Sequence, residues 1–134
     1  MKPKIIAKLI LCFEDDLDMQ DITDKIKLDP SSFQRRSNCR INPITKKQNL
    51  GFWEIQTDEI KTYDSVDVQN ILLLLTHKNL ENIRHVVDKY NCEVIYRFFV
   101  YTFNNEFPAL MFTEELLKDI NYLKAKLDVV ISND

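Results

Sequence analysis

Residues 92–103 read Cys92-Glu93-Val94-Ile95-Tyr96-Arg97-Phe98-Phe99-Val100-Tyr101-Thr102-Phe103, and this stretch decides the fold class. Successive side chains of a strand point to opposite faces of its sheet. Val94, Tyr96, Phe98 and Val100 therefore share one face. Ile95, Phe99, Tyr101 and Phe103 share the other, with Arg97 interrupting them. A strand apolar on both faces belongs at the centre of a sheet.

Working outward, Ile5–Phe13 alternates onto one face through Ile5, Ala7, Leu9, Leu11 and Phe13, while Lys8 and Ile10 fall on the mixed face. Gly51–Thr57 predicts another strand, with Trp53 and Ile55 on one side and Phe52, Glu54 and Gln56 on the other. After residue 103, Asn104-Asn105 is a hairpin-type turn signal, so Ala109–Phe112 is expected to return as a short strand. Leu127–Ser132 is the last strand, with Leu127, Val129 and Ile131 inward.

Helices fill the gaps. Asp18 caps one that carries Met19, Ile22 and Ile26 and ends near Leu28, ahead of Pro30. Asp64 or Ser65 caps the next, with a stripe of Val68, Ile71, Leu72 and Leu75. Leu73 and Leu74 make it apolar nearly all round, which predicts deep burial. Asn79 is placed to cap a segment with Ile83, Val86, Val87 and Tyr90 inward. Thr113 caps the last helix, with Glu114 and Glu115 in its first turn and Leu116, Ile120 and Leu123 buried. The expected order is β-α-β-α-β-β-α-β. It predicts one α+β domain over residues 1–134: a two-layer sandwich with a mixed, mostly antiparallel sheet and helices mainly on one face, ferredoxin-like in spirit. A doubly wound α/β fold is the alternative.

Residues 29–49 show no periodicity and are rich in Pro, Ser and Asn, so they are expected to form a long loop that is either functional or mobile. The loop holds five basic side chains, Arg35, Arg36, Arg40, Lys46 and Lys47, against Asp29 alone, a net +4; with −3 overall, the rest of the chain carries −7. Nucleic acid is not the expected partner, because such domains are basic overall and place aromatics between the charges, whereas here the pI is about 5.4 and Phe33 is the loop's one aromatic.

The composition excludes several function classes. Gly51 is the single glycine, which rules out phosphate-cradling loops, dinucleotide turns and nucleophile elbows. The cluster Glu14, Asp15, Asp16, Asp18, Asp21 and Asp24 lacks the alternate oxygens and turn glycine of a calcium loop and reads as helix capping. His77 and His85, eight residues apart, are too distant along a helix to chelate one metal. No metal, cofactor or catalytic residue is expected. Glu54 and Asp128 would make a carboxylate pair only on neighbouring strands, and Cys39 would need a distant histidine. The three cysteines, Cys12, Cys39 and Cys92, fit a reducing, cytoplasmic setting; Cys12 and Cys92 are expected to be buried and Cys39 accessible. Lys8 and the acidic run after Phe13 argue against a signal peptide, and no apolar run reaches membrane-spanning length.

Several short motifs carry a resemblance. Leu9–Phe13, Asp16-Leu17-Asp18, Ile22-Thr23, Leu28-Asp29-Pro30, Arg35-Arg36, Gly51-Phe52-Trp53, the helix Thr113–Leu123 and Leu127-Asp128-Val129 together resemble a bacterial domain-of-unknown-function family of similar length. That family carries a glycine after the basic pair, where this chain has Ser37 and Asn38. The resemblance implies no activity; its members are similar in size and setting to small immunity proteins.

The expected function is thus a non-enzymatic interaction domain, of immunity type, that binds and blocks a toxin. The surface singled out is the sheet face away from the helices, with Phe52, Glu54, Arg97, Phe99, Tyr101 and Asp128, serving a protein partner or a homodimer. The basic loop with Arg35, Arg36 and Arg40 is a second candidate for docking. The alternative is a small-ligand site at Arg97 and Tyr101, where a guanidinium would hold a carboxylate or phosphate; an enzyme in the same place is a third reading.

Overall fold

The computed structural model describes residues 1–134. Its centre is the stretch quoted above. Strand β5 (Glu93–Thr102) lies antiparallel to β1 (Lys4–Phe13), from Lys4 opposite Tyr101 to Cys12 opposite Glu93. On the other side of β1 lies β3 (Gly51–Gln56), also antiparallel, and β2 (Ser32–Gln34) pairs with the outside of β3. A two-residue strand, β4 (Ile60–Lys61), pairs with the start of β1. Beyond β5 lies β6 (Lys126–Asn133), the one parallel neighbour. The order is β2-β3-β1-β5-β6.

The helices are α1 (Met19–Ile26), α2 (Ser65–Thr76), α3 (Leu80–Tyr90) and α4 (Glu114–Tyr122). All four contribute to one core with the inward residues of the sheet: Ile5, Ala7, Leu9 and Leu11 of β1, Trp53 of β3, and Val94, Tyr96, Phe98 and Val100 of β5. The helices meet a single sheet face, so the mostly antiparallel two-layer α+β sandwich holds and the doubly wound alternative falls away. No helix is long and apolar enough to cross a membrane.

Five local expectations are corrected. The Asn104-Asn105 turn forms, both residues at positive φ and Glu106 N donating to Phe103 O at 3.0 Å, but no strand returns after it. Residues 109–113 leave the sheet and pass α2. Their backbone is met by polar side chains instead of a strand: Gln69 Nε2 donates to Met111 O at 2.7 Å, Thr113 N to Gln69 Oε1 at 2.9 Å, and Ser65 Oγ to Met111 O at 3.3 Å.

This explains the second correction. The buried stripe of α2 is Ser65, Val68, Gln69, Leu72 and Thr76, a helical period containing three polar residues. Leu74 is 80% exposed and Leu75 also lies outside the core; the run of leucines straddles the boundary instead of entering it. Third, Asn79 makes no cap bond to α3. Its amide donates to Ile26 O and Lys27 O, both at 3.1 Å, closing the C-terminus of α1 where Lys27 adopts a left-handed conformation.

Fourth, residues 29–49 are folded. They contain β2, a 3-10 turn at Arg36–Asn38, an Asn42 turn whose Oδ1 accepts from Ile44 N and Thr45 N, and an Ile41–Gln48 bridge. Fifth, Leu127 and Ile131 lie on the helix side of β6, opposite Tyr96 and Val100, yet both are exposed. An edge strand has a neighbour on one side only.

The glycine of β3 is required by close approach. A Cβ on Gly51 would lie 2.9 Å from Arg36 N and 3.1 Å from Gln34 O, and backbone on the far side of a turn cannot yield as a side chain does. Gly51→Ala is expected to lower unfolding free energy by about 1–3 kcal/mol, read as a lower urea midpoint with an unchanged m-value.

Candidate functional site

The antiparallel register that buries Leu9 and Tyr96 turns their neighbours outward. On the helix-free face, Lys8 lies between Gln56 and Arg97, and Arg97 is followed by Asp128 on β6. Two residues along each strand, Ile6, Phe99 and Val130 form a second row; in the opposite direction Glu54, Ile10 and Ile95 form a third, with Phe52, Cys12 and Glu93 beyond. The face is thus a charged band between two largely apolar rows.

The band pairs internally. Arg97 Nε donates to Asp128 Oδ2 at 2.7 Å, with both side chains about a third exposed or more. Lys8 Nζ lies 3.3 Å from Glu54 Oε2 and 5.3 Å from the centre of the Phe99 ring. Glu54 and Ile10 are buried, Phe52, Arg97, Phe99 and Asp128 are half-buried, and Tyr101 is 38% exposed. All six singled-out residues therefore share one face, and Arg97 is not a core residue. Phe52 also borders the basic loop, in a groove with Cys39 and Leu50.

One catalytic arrangement loses its geometry. Glu54 and Asp128 stand on β3 and β6 with β1 and β5 between them. Three inter-strand spacings separate them by about 14 Å, and a cation holds each one. The three cysteines are free and partly buried, so Cys39 is less accessible than expected. Burial pushes the Cys12 thiol up to about 11 and the Cys92 thiol up to about 12; the Cys39 thiol is also raised by burial. None has the lowered pKa of a nucleophile.

A model of a domain of unknown function, DUF4279, matches residues 3–134. The chain belongs to this family. No curated protein and no solved structure matches it. The family match covers both central strands and the charged band, as well as the segment 29–49 that sequence reading left without structure.

In this DUF4279 chain the two oppositely charged sequence features meet each other. The Arg35 guanidinium holds Asp16 with two hydrogen bonds, Nε to Oδ1 and Nη2 to Oδ2, both 3.1 Å, and Ser37 N donates to Asp16 Oδ1 at 3.0 Å. Arg36 Nη1 donates to Glu14 O. The acidic run therefore does more than cap α1, which is the task of Asp18 through Gln20 N; it anchors the basic loop to the end of β1. Of the loop's singled-out arginines, Arg35 alone makes an ion pair with an acidic side chain; Arg36 reaches only the Glu14 backbone carbonyl.

Sequence reading also missed a groove of about 540 Å³ between α2 and α4, bordered by Leu73, Leu74, His77, Lys118 and Asp119. It exists because Leu74 lies outside the core. Tyr96 of β5 lies in the core with its hydroxyl unpaired. Burial raises the Asp119 carboxyl, and His77 opposes that shift.

The Arg35 guanidinium and the Ser37 amide hold the Asp16 carboxyl down at about 2. A carboxyl held below its unfolded value stabilises above the unfolded pKa, about 3.9, and loses that contribution as pH falls toward 2. The loop anchor is therefore expected to be intact at pH 5 and progressively lost between about pH 4 and 2. Asp16→Asn is expected to show the same loosening at pH 7, as faster amide exchange across residues 35–50 with the central strands unchanged.

Proposed function

We propose that this chain is a non-enzymatic protein-binding domain whose working surface is the helix-free sheet face around Arg97, Phe99 and Tyr101. The observation that carries the reading is the composition of that face. Exposed or half-exposed aromatics stand on the central strand beside ion pairs that are already formed. Aromatic and arginine side chains supply most of the energy of protein interfaces. Pre-formed pairs add directional groups without leaving a lone charge to be desolvated.

The finer reading is a cytoplasmic, bacterial immunity-type protein that binds and blocks a toxin. Its supports are the chain's length and the −7 carried outside residues 29–49, which suits a basic partner such as a nuclease and speeds its association. The anchoring of Arg35 and Arg36 to Asp16 and Glu14 counts against nucleic acid as the partner, since those side chains are taken. A small-ligand site at Arg97 and Tyr101 has less support, because the largest groove lies between α2 and α4 instead.

The test is co-expression with toxic products of neighbouring genes, followed by affinity measurement on the purified pair. The wild-type chain is expected to restore growth. Tyr101→Asp is expected to abolish protection and weaken binding by on the order of 2 kcal/mol, while circular dichroism shows the fold retained. Equal protection by Tyr101→Asp would show that the partner sits elsewhere, and an unfolded variant would make Tyr101 a core residue.

A further inference from the structure

The two edges of the sheet are built differently. The β2 edge is three residues long and runs straight into the 3-10 turn at Arg36–Asn38, a short and blunted end of the kind that discourages pairing. The β6 edge is eight residues long, and its one extensive neighbour is β5. Its middle is Val129-Val130-Ile131, with Val130 41% and Ile131 49% exposed. The charges that would ordinarily guard such an edge are turned inward across the sheet: Asp128 to Arg97 at 2.7 Å and Lys126 to Glu93 at 2.7 Å.

The backbone phase of this edge is readable. Asp134 N donates to Thr102 O, and Asn104 N donates to Asp134 O. Asp134 thus directs both its groups toward the β5 side, and by alternation so do Ser132, Val130, Asp128 and Lys126. Leu127, Val129, Ile131 and Asn133 point their N–H and C=O groups at the free edge.

From this we propose that β6 is a homodimer edge, joining antiparallel to β6 of a second copy across a two-fold axis through Val130. A two-fold pairing uses the same residues on both sides, so the strand must be complementary to itself reversed. In this register Val129 meets the partner's Ile131 and Leu127 meets the partner's Asn133. These are the outward-pointing residues, and each such pair exchanges two hydrogen bonds. Val130 meets the partner's Val130, Asp128 meets the partner's Ser132, and Lys126 meets the partner's Asp134.

The nearest alternatives are worse. Moving the axis to Ile131 sets Asp128 against the partner's Asp134, two like charges directly opposed. Moving it to Val129 sets Asp128 against the partner's Val130. Slipping so that odd residues face even ones would set outward backbone groups against inward ones and lose the ladder. The axis through Val130 stands perpendicular to the sheet, so the helices of both copies lie on one side and their open faces join on the other.

Sedimentation velocity at about 50 μM is expected to give a dimer for the wild-type chain. Ile131→Pro removes an N–H that points to the free edge and not one used by β5, so it is expected to give a monomer with an unchanged circular dichroism spectrum. Val130→Cys is the register test. A pair without mutual hydrogen bonds brings Cα atoms to about 4.5 Å, within disulfide range. Under oxidised glutathione this variant is expected to form a covalent dimer at least tenfold faster than the wild-type chain or Ser132→Cys, which measure the background from the native cysteines. A monomeric wild-type chain, a dimer that survives Ile131→Pro, or equal cross-linking of Val130→Cys and Ser132→Cys would each overturn the proposal.

Discussion

The antiparallel pairing of β1 with β5 sets the positions of everything else. Nine residue pairs, from Lys4–Tyr101 to Cys12–Glu93, bring together the two longest strands. Each strand alternates, so one register decides both faces at once. It sends Leu9 and Tyr96 to the helices and sets Lys8 beside Arg97 on the open side. A slip of one residue would exchange the two sets and bury the charges. Two adjacent cations on neighbouring strands would repel, and the sheet answers by giving each its own carboxylate from the next strand outward, Glu54 on β3 and Asp128 on β6. The charged band is thus a consequence of strand order as well as of composition.

The helix layer shows a comparable economy. The connection from β5 to β6 has to cross the helix layer to return parallel, and residues 109–113 make that crossing without secondary structure of their own. Backbone buried without a partner costs a lost hydrogen bond or more per group. The buried polar stripe of α2, Ser65 and Gln69, meets that need. Its consequence is rotation: turning those side chains inward turns Leu74 and Leu75 outward, and the groove beside α4 follows.

The segment 29–49 illustrates how a stretch without periodicity can still be ordered. Its order comes from three separate attachments. They are the β2–β3 pairing, the Arg35–Asp16 contact, and the close passage of Arg36 backbone over Gly51. A side chain at residue 51 would block that passage, which gives the chain's one glycine a structural role.

Much of this was legible in the sequence. Period-two alternation located β1, β3, β5 and β6, caps at Asp18, Asp64 and Thr113 located three helices, and the two-sided apolar pattern of residues 92–103 placed β5 in the interior of the sheet. The open face with Phe52, Glu54, Arg97, Phe99, Tyr101 and Asp128 followed from the same alternation. These features depend on residues a few positions apart, whose relative directions are dictated by backbone geometry alone. What only the tertiary structure decided was which strands become neighbours. That choice separates Glu54 from Asp128, makes β6 a parallel edge, sends residues 109–113 past α2, moves Asn79 from its own helix to the end of α1, and brings Arg35 to Asp16. Each of these joins residues far apart in the chain, and such pairings are selected by the packing and hydrogen bonding of the whole fold, on which no local pattern reports.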